Sequence, residues 1–462
     1  MNIAFVNPSL RPGAKRRQLP VGLAYVVSAV KRAGIPFDLV DMDINQYNLN
    51  DLREILGKKP YDVVAVGCIV TGYKHVLGIA DVAKECNPAC VVIAGNSVAT
   101  SIPEILLNNS RVDIAVMGEG DVTIVELLQA LANRRDIAEV KGIIFKKDGR
   151  LHATDKRNVI PCLDNVEFPD WEIFDLEKYS AFTQVNVNYF SDKPIVSFPL
   201  NSARGCPFNC TFCYHVFKRE KYRKYSEDVV MKEIRRLHDR YGCNFINFWD
   251  ELTFENVASA ERMVSKLNNL DFKIFWTGSI RGNLFKSQHL DLVREMKRSG
   301  CDNIEYSLEN ASPEILKAID KKISVDDFIE QSNVLWKGGV VPLTSVIFGY
   351  PQETPESIRL TLEVCEKCNI FPSVGFLLPL PGTPIYQWAK DNGRITDEIE
   401  YLMNSGDRQD FHVNLTSMSD HELVDTVTVH LEKLAAKLGL KLDSVFKTTT
   451  YQKPKSKDET LG

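Results

Sequence analysis

The sequence contains no apolar run that reaches the roughly 18 residues of a membrane-spanning helix. Its opening, MNIAFVNPSL, lacks the charged start and long apolar stretch of a signal peptide, so the chain is expected in the cytoplasm. Neither sign of charge dominates: 56 Lys and Arg stand against 61 Asp and Glu, for a net charge of −5. That balance exerts no general pull toward nucleic acid or an anionic membrane, and neither is expected as a partner. No internal repeat is visible. The composition, 44% hydrophobic and 25% charged, is that of a globular protein. A length of 462 residues exceeds one ordinary core and implies two or three domains. Eleven cysteines in a reducing compartment are expected to be thiols or metal ligands rather than disulfides.

The first third alternates strand and helix patterns. Strands are expected at NIAFV, PFDLVDMD, YDVVAVGCI, ACVVIAGN and VDIAVMGEG. Helices are expected at VGLAYVVSAVKRAG, from about Tyr73 to Cys86, near Pro103, and over Thr123–Ala132. This alternation predicts a doubly wound parallel sheet of the Rossmann-like kind over residues 1–140. Ligands of such sheets bind beyond the C-terminal strand ends. The turns placed there are Asn7-Pro8-Ser9, Thr71-Gly72, Gly95-Asn96-Ser97 and Gly118-Glu119-Gly120-Asp121.

KGIIFKKDGRLHAT reads as a hairpin turning at Asp148-Gly149, and opens an interdomain linker over 141–194. A second α/β series follows over 195–395, with six strand patterns: VSFPLNS, NFINFWDE, KIFWTGSI, NIEYSLEN, VPLTSVIFGY and SVGFLLPLPG. Residues 396–462 read as a helical region that closes the site, with a polar tail expected to be disordered.

Cys206, Cys210 and Cys213 fall in RGCPFNCTFCYH, at the ligand-binding end of the second sheet. What is missing is a fourth thiol. A structural zinc site takes four ligands, and so does a 4Fe–4S cluster. Three cysteines leave one iron open to a substrate or cofactor. The remaining cysteines are scattered and form no second group of four.

The triplet, with Phe212 before its last cysteine, resembles the signature of the radical S-adenosylmethionine (SAM) enzymes. The resemblance implies Cys206, Cys210 and Cys213 as ligands of one 4Fe–4S cluster, with SAM chelating the open iron and Phe212 near its adenine. It implies a partial (β/α)6 barrel, cleavage of SAM to a 5′-deoxyadenosyl radical, and an electron donor such as flavodoxin or ferredoxin. NFWDELT, IEYSLEN, IFGYPQET and PLPGTPIY resemble later segments of that family. They imply Asp250 and Glu251 at the SAM amino group, Ser307 and Glu309 at its ribose or methionine end, and Gly349 in a turn beside it. Arg281 is implied at the SAM carboxylate, with a surface ion pair as the alternative. Asp250 and Glu251 have the alternative of a solvated turn.

VMGEGDVTIVELLQAL and PDWEIFDLEKY resemble the cobalamin-binding domain and linker that precede the barrel in one large subgroup. The resemblance implies cobalamin held by Asn7, Pro8, Ser9, Thr71, Gly72, Gly95, Asn96, Ser97, Gly118, Glu119 and Gly120. The first loop contains no His to ligate cobalt from below, and His75 reads as a helix-start residue. Cobalamin-dependent methylation of an unactivated carbon of a small molecule is the leading expectation. Radical dehydration, cyclisation or rearrangement, with the first domain a scaffold, stays open beside it. A nucleic-acid-binding reading would rest on FKREKYRKY (Phe217–Tyr225) alone.

Overall fold

The computed structural model describes residues 1–11, 17–182, 194–218, 220–406 and 410–440. The expected disordered tail, part of the first loop and the end of the linker lie outside them.

Val, Ile and Ala fill the strands of the first sheet because both faces are covered by helices. Its strands are β1 (Ile3–Asn7), β2 (Asp38–Asp41), β3 (Val63–Gly67), β4 (Val91–Gly95), β5 (Ile114–Val116), β6 (Ile143–Lys147) and β7 (Arg150–Ala153). The order is β2-β1-β3-β4-β5-β6-β7. Pairing is parallel through β5 and antiparallel for β6 and β7. The hairpin placed by sequence in the linker therefore extends the first sheet. Asp148 and Gly149, with φ of 51° and 71°, turn it as the sequence predicts.

The second series contains β8 (Ser197–Leu200), β9 (Ala203–Arg204), β10 (Arg223–Lys224), β11 (Phe245–Phe248), β12 (Phe275–Ser279), β13 (Cys301–Glu305), β14 (Val341–Leu343), β15 (Ser345–Phe348) and β16 (Ser373–Phe376). A parallel sheet runs β14-β13-β12-β11-β8, and β15 pairs with β16. A bridge from Glu309 to Val346 carries the curvature across, giving the partial barrel. The expected strand VPLTSVIFGY divides at Thr344, whose hydroxyl accepts from Leu308 N at 3.3 Å. Between β8 and β11, the short antiparallel ladder β9–β10 brackets the cysteine loop.

One apolar core runs from Phe5 and Ile124 through Trp171 to Phe248 and Ile304, so the two α/β units are packed together. The linker fills the seam. Trp171 tilts against Phe198 at 6.0 Å, and Phe168 stacks on Tyr225 at 4.5 Å. The helix Asp420–Lys437 packs along Pro355–Lys367, and Glu398–Asn404 packs on Tyr73–Cys86.

Candidate functional site

A cavity of about 590 Å³ lies between the two units. That size is usual for a small-molecule site. The strand ends of the first sheet form one side, with Thr71, Gly95, Asn96, Ser97, Gly118, Glu119, Gly120 and Asp121 on the wall. Asn201, Ala203, Arg204, Tyr214–Phe217, Trp249, Glu251 and Leu380 form the other. Phe5, Tyr25, Ala65, Ile93 and Ile124 line an apolar recess into the first unit. Described residues 396–406 and 410–440 do not line it; helix Asp420–Lys437 packs along Pro355–Lys367 instead, and the rest of the region expected to close the site lies outside the described residues.

Four expected cobalamin contacts are off this wall. The β1–β2 pairing sets Asn7 beside Asp41, to which its Nδ2 donates at 2.8 Å. Ser9 donates to Asp43 Oδ1 at 2.9 Å, and Pro8 between them is buried. Gly72 is wedged against Cys68 and Leu10, where an added Cβ would meet Cys68 Sγ at 2.3 Å. Asn96 does reach the cavity, and its backbone (φ 70°, ψ −158°) occupies a region normally kept for glycine. Its side chain accepts from Ser97 N at 2.6 Å.

The three cysteines are mutually close enough to feel one another's charge. Burial, then Cys210, push the Cys213 thiol up to about 11. Burial also raises Cys206, with Cys210 adding to the effect. Cys210 is buried, whereas Cys213 is exposed yet closely surrounded. Among the described residues, no three His, Cys, Asp or Glu side chains converge on a single ion. A set of three thiols fits a 4Fe–4S cluster with one iron left open. Lys218 Nζ donates to the carbonyls of Cys210, at 2.9 Å, and Cys213, closing the loop on itself.

Two groups flank the triplet. Arg281 lies by Cys206, its guanidinium 3.6 Å from the Phe208 ring centre. Its Nε and Nη2 are buried with no hydrogen-bond partner, so the site offers an uncompensated cation to an anionic ligand. On the Cys213 side, Glu309 sits at φ 63° and accepts from Lys321 Nζ at 2.7 Å. Phe212 meets Tyr350 edge-on at 6.1 Å. Gly349 (φ 102°) donates its N–H to Glu353 at 3.2 Å. Ser307 is half-buried.

Asp250 and Glu251, indistinguishable in sequence, part company. Asp250 is buried and accepts from Ser202 N at 2.8 Å, Ser202 Oγ at 2.7 Å and Ala203 N at 3.0 Å. Burial nevertheless pushes its carboxyl up to about 7. It ties the turn between β8 and β9 to the end of β11, with both oxygens already engaged. Glu251 is exposed, lines the cavity, and accepts from Gly205 N at 3.2 Å.

Sequence reasoning missed two wall residues and gave a third, Trp249, no role. Arg204 donates to Glu119 at 2.8 Å and to Asp121 at 3.0 Å. Burial opposes its charge, but the two carboxylates hold it above the usual arginine range. His215 has a buried Nδ1 without a partner, and burial lowers its basicity. Trp249 is 49% exposed into the cavity. Arg204 and His215 were in plain view at the ends of the quoted motif, but only the fold shows what they face. Within the basic stretch Phe217–Tyr225, three described cations are engaged internally: Lys218 on the loop, Arg223 on Glu119, and Lys224 on Glu227, while Lys221 is exposed.

A three-thiol loop at a barrel mouth, opposed by a Rossmann-like unit, defines a two-domain cofactor enzyme. The sequence comparisons make it specific: residues 14–128 match the B12 binding domain and residues 200–365 match the radical SAM superfamily. The chain belongs to the radical SAM enzymes that carry a B12-binding domain. It is 28% identical over 399 residues to an uncharacterized methyltransferase of Pyrococcus horikoshii, covering 85% of this chain and 84% of that one. It is 25% identical to an anaerobic magnesium-protoporphyrin IX monomethyl ester cyclase of Rubrivivax gelatinosus, covering 87% and 72%. The fold matches TsrM from Kitasatospora setae, a radical SAM methyltransferase solved with cobalamin and a 4Fe–4S cluster bound, at TM-score 0.67 and 16% identity, covering 85% and 75%. No described helix is long and apolar enough to cross a membrane.

Proposed function

We propose that this chain is a cobalamin-dependent radical SAM methyltransferase acting on an unactivated carbon of a small biosynthetic intermediate. The observation that carries the reading is the single cavity walled by both units. Cys206, Cys210 and Cys213 hold the cluster, and Arg281 takes the SAM carboxylate. Glu251 stands between that site and the cavity. Thr71, Gly95–Ser97 and Gly118–Gly120 receive cobalamin, and the recess of Phe5, Tyr25 and Ile93 accepts an apolar appendage. Bound there, cluster and SAM supply a 5′-deoxyadenosyl radical and cobalamin supplies a transferable methyl group. An electron donor such as flavodoxin or ferredoxin provides the reducing electron. Ile69 and Trp249, 47% and 49% exposed on the cavity wall, present an apolar face to substrate and exclude water from the reacting carbon. Such exposure of large apolar side chains in a cleft marks a binding surface.

The test is anaerobic purification with reconstituted cluster and added hydroxocobalamin, followed by metal analysis and incubation with methyl-labelled SAM. About four irons and one cobalt per chain, with label transferred to a product, support the proposal. Iron without cobalt, and 5′-deoxyadenosine without methylated product, would move the assignment to cyclisation or rearrangement. The similarity to the cyclase favours that second reading.

A further inference from the structure

Arg204 and Arg223 face each other in register across the β9–β10 ladder. Like charges directly opposite in a strand pair repel. Both side chains are nearly buried, at 7% and 6% exposure, so water does not screen them. The neutralising charge comes from the other domain. Glu119 Oε1 accepts from Nη1 of both arginines at 2.8 Å. Its Oε2 accepts from Ile160 N at 2.6 Å. Asp121 accepts both prongs of the Arg204 fork at 3.0 Å. The Tyr25 ring lies 4.7 Å from the Arg204 guanidinium.

The two ends of this joint belong to different cofactor sites. Arg204 is separated from Cys206 only by Gly205. Glu119 and Asp121 sit in the Gly118–Asp121 turn on the cavity wall. A ligand that orders that turn fixes both carboxylates. The carboxylates fix the end of β9, and β9 sets where the three-thiol loop begins. The same chain of contacts runs in reverse.

We propose that Arg204 is a positioning residue that couples the two cofactor sites, so that cobalamin and cluster each strengthen the binding of the other. The inference rests on the proposed function. Whichever group binds first orders the joint, and the second meets it already ordered. Such coupling is reciprocal.

The experiment titrates hydroxocobalamin into the anaerobic full-length chain, with and without reconstituted cluster, and reads the cobalamin spectrum. In the wild type the cluster tightens binding at least ~5-fold. In Arg204→Gln the two affinities converge. Arg204→Lys restores part of the difference, because a point charge reaches one carboxylate but cannot form the fork. Asp121→Asn, which removes only the more exposed partner, halves the effect or more and serves where Arg204→Gln does not fold. Equal wild-type affinities with and without cluster would overturn the coupling alone. A full difference retained in Arg204→Gln and Asp121→Asn would overturn the assignment to Arg204. A wild type that takes up no hydroxocobalamin would overturn both the coupling and the proposed function.

Discussion

Gly382 lies against Tyr214: a methyl group on its Cα would stand 2.9 Å from Cε2 of the tyrosine ring. The loop after β16 thus presses on the residue that follows the last cysteine of the triplet. Gly382 also holds φ at 85°, which an L-residue adopts at a cost of about 1–2 kcal/mol. Gly382→Ala is expected to lose at least that much stability and to displace Tyr214 from the cavity wall. Urea denaturation gives the first effect, and lower iron retention per chain reports the second.

Cys206→Ala, Cys210→Ala and Cys213→Ala should each reduce reconstituted iron from about four per chain to near zero. Cys365→Ala and Cys368→Ala should leave it unchanged, since both thiols are buried against the core, one inside helix Pro355–Lys367 and one just past its end. Iron analysis after anaerobic desalting decides between them. Full iron in any triplet variant would remove that cysteine from the ligand set.

Arg281 combines a ligand-binding posture with a stability penalty. Its buried Nε and Nη2 have no partner. An unsatisfied buried donor costs roughly 1–3 kcal/mol. Arg281→Met should therefore raise the unfolding free energy of the ligand-free chain by about 1 kcal/mol while weakening SAM binding at least ~10-fold. Denaturation and equilibrium dialysis with labelled SAM measure the two. Unchanged SAM affinity would count against a role at the carboxylate.

Glu353 ties the loop after β13 to the loop after β15: it accepts from Asn310 Nδ2 at 3.0 Å, from Gly349 N at 3.2 Å, and from Ser357. Burial pushes its carboxyl up to about 7, and the donors only partly oppose this. A carboxyl raised in the folded state binds a proton that the unfolded chain has already released. Its contribution therefore declines as pH rises from about 4.5 to about 7, by up to about 3 kcal/mol, and levels off above. Glu353→Gln should flatten this part of the stability profile. Denaturation midpoints at pH 5, 6 and 8 provide the check, and a slope identical to the wild type would exclude Glu353 as its source.

Removing Glu119 leaves the buried Arg223 without a carboxylate, whereas removing Arg204 leaves Asp121 without its arginine and Glu119 still paired with Arg223. Glu119→Gln should therefore lose about 3–5 kcal/mol and Arg204→Met less, and the double variant should lose less than the sum because the Arg204–Glu119 contact is counted in both single variants. Urea denaturation of the four proteins measures the coupling. Additive losses would show that the residues act independently.

The strands of the first sheet were legible because it is covered on two faces and so demands apolar runs, as in VVAVG and VVIAG. The cysteine triplet was legible because local spacing alone creates it. What escaped the sequence was always a matter of which neighbour a side chain meets across space. Asp250 and Glu251 adjoin, yet one closes on Ser202 and the other opens to the cavity. Asn7 ends a strand where a ligand contact is plausible on topology, but the register with β2 gives it Asp41 instead. Glu119 was read as a cofactor contact and does line the cavity, but the arginines over 80 positions away that take its carboxylate were not foreseen.

The Glu119 carboxylate also bears on how freely these domains can be exchanged. Among the described residues, the counter-charge for the barrel's arginine pair comes from its neighbour. A chimera that grafts this barrel onto a foreign Rossmann-like module would inherit two facing cations at the root of its cysteine loop. Recombination of such modules is then constrained to donors that present an acid at the turn after the fifth strand. The joint makes the pair heritable as a unit, even though each half has a recognisable fold of its own.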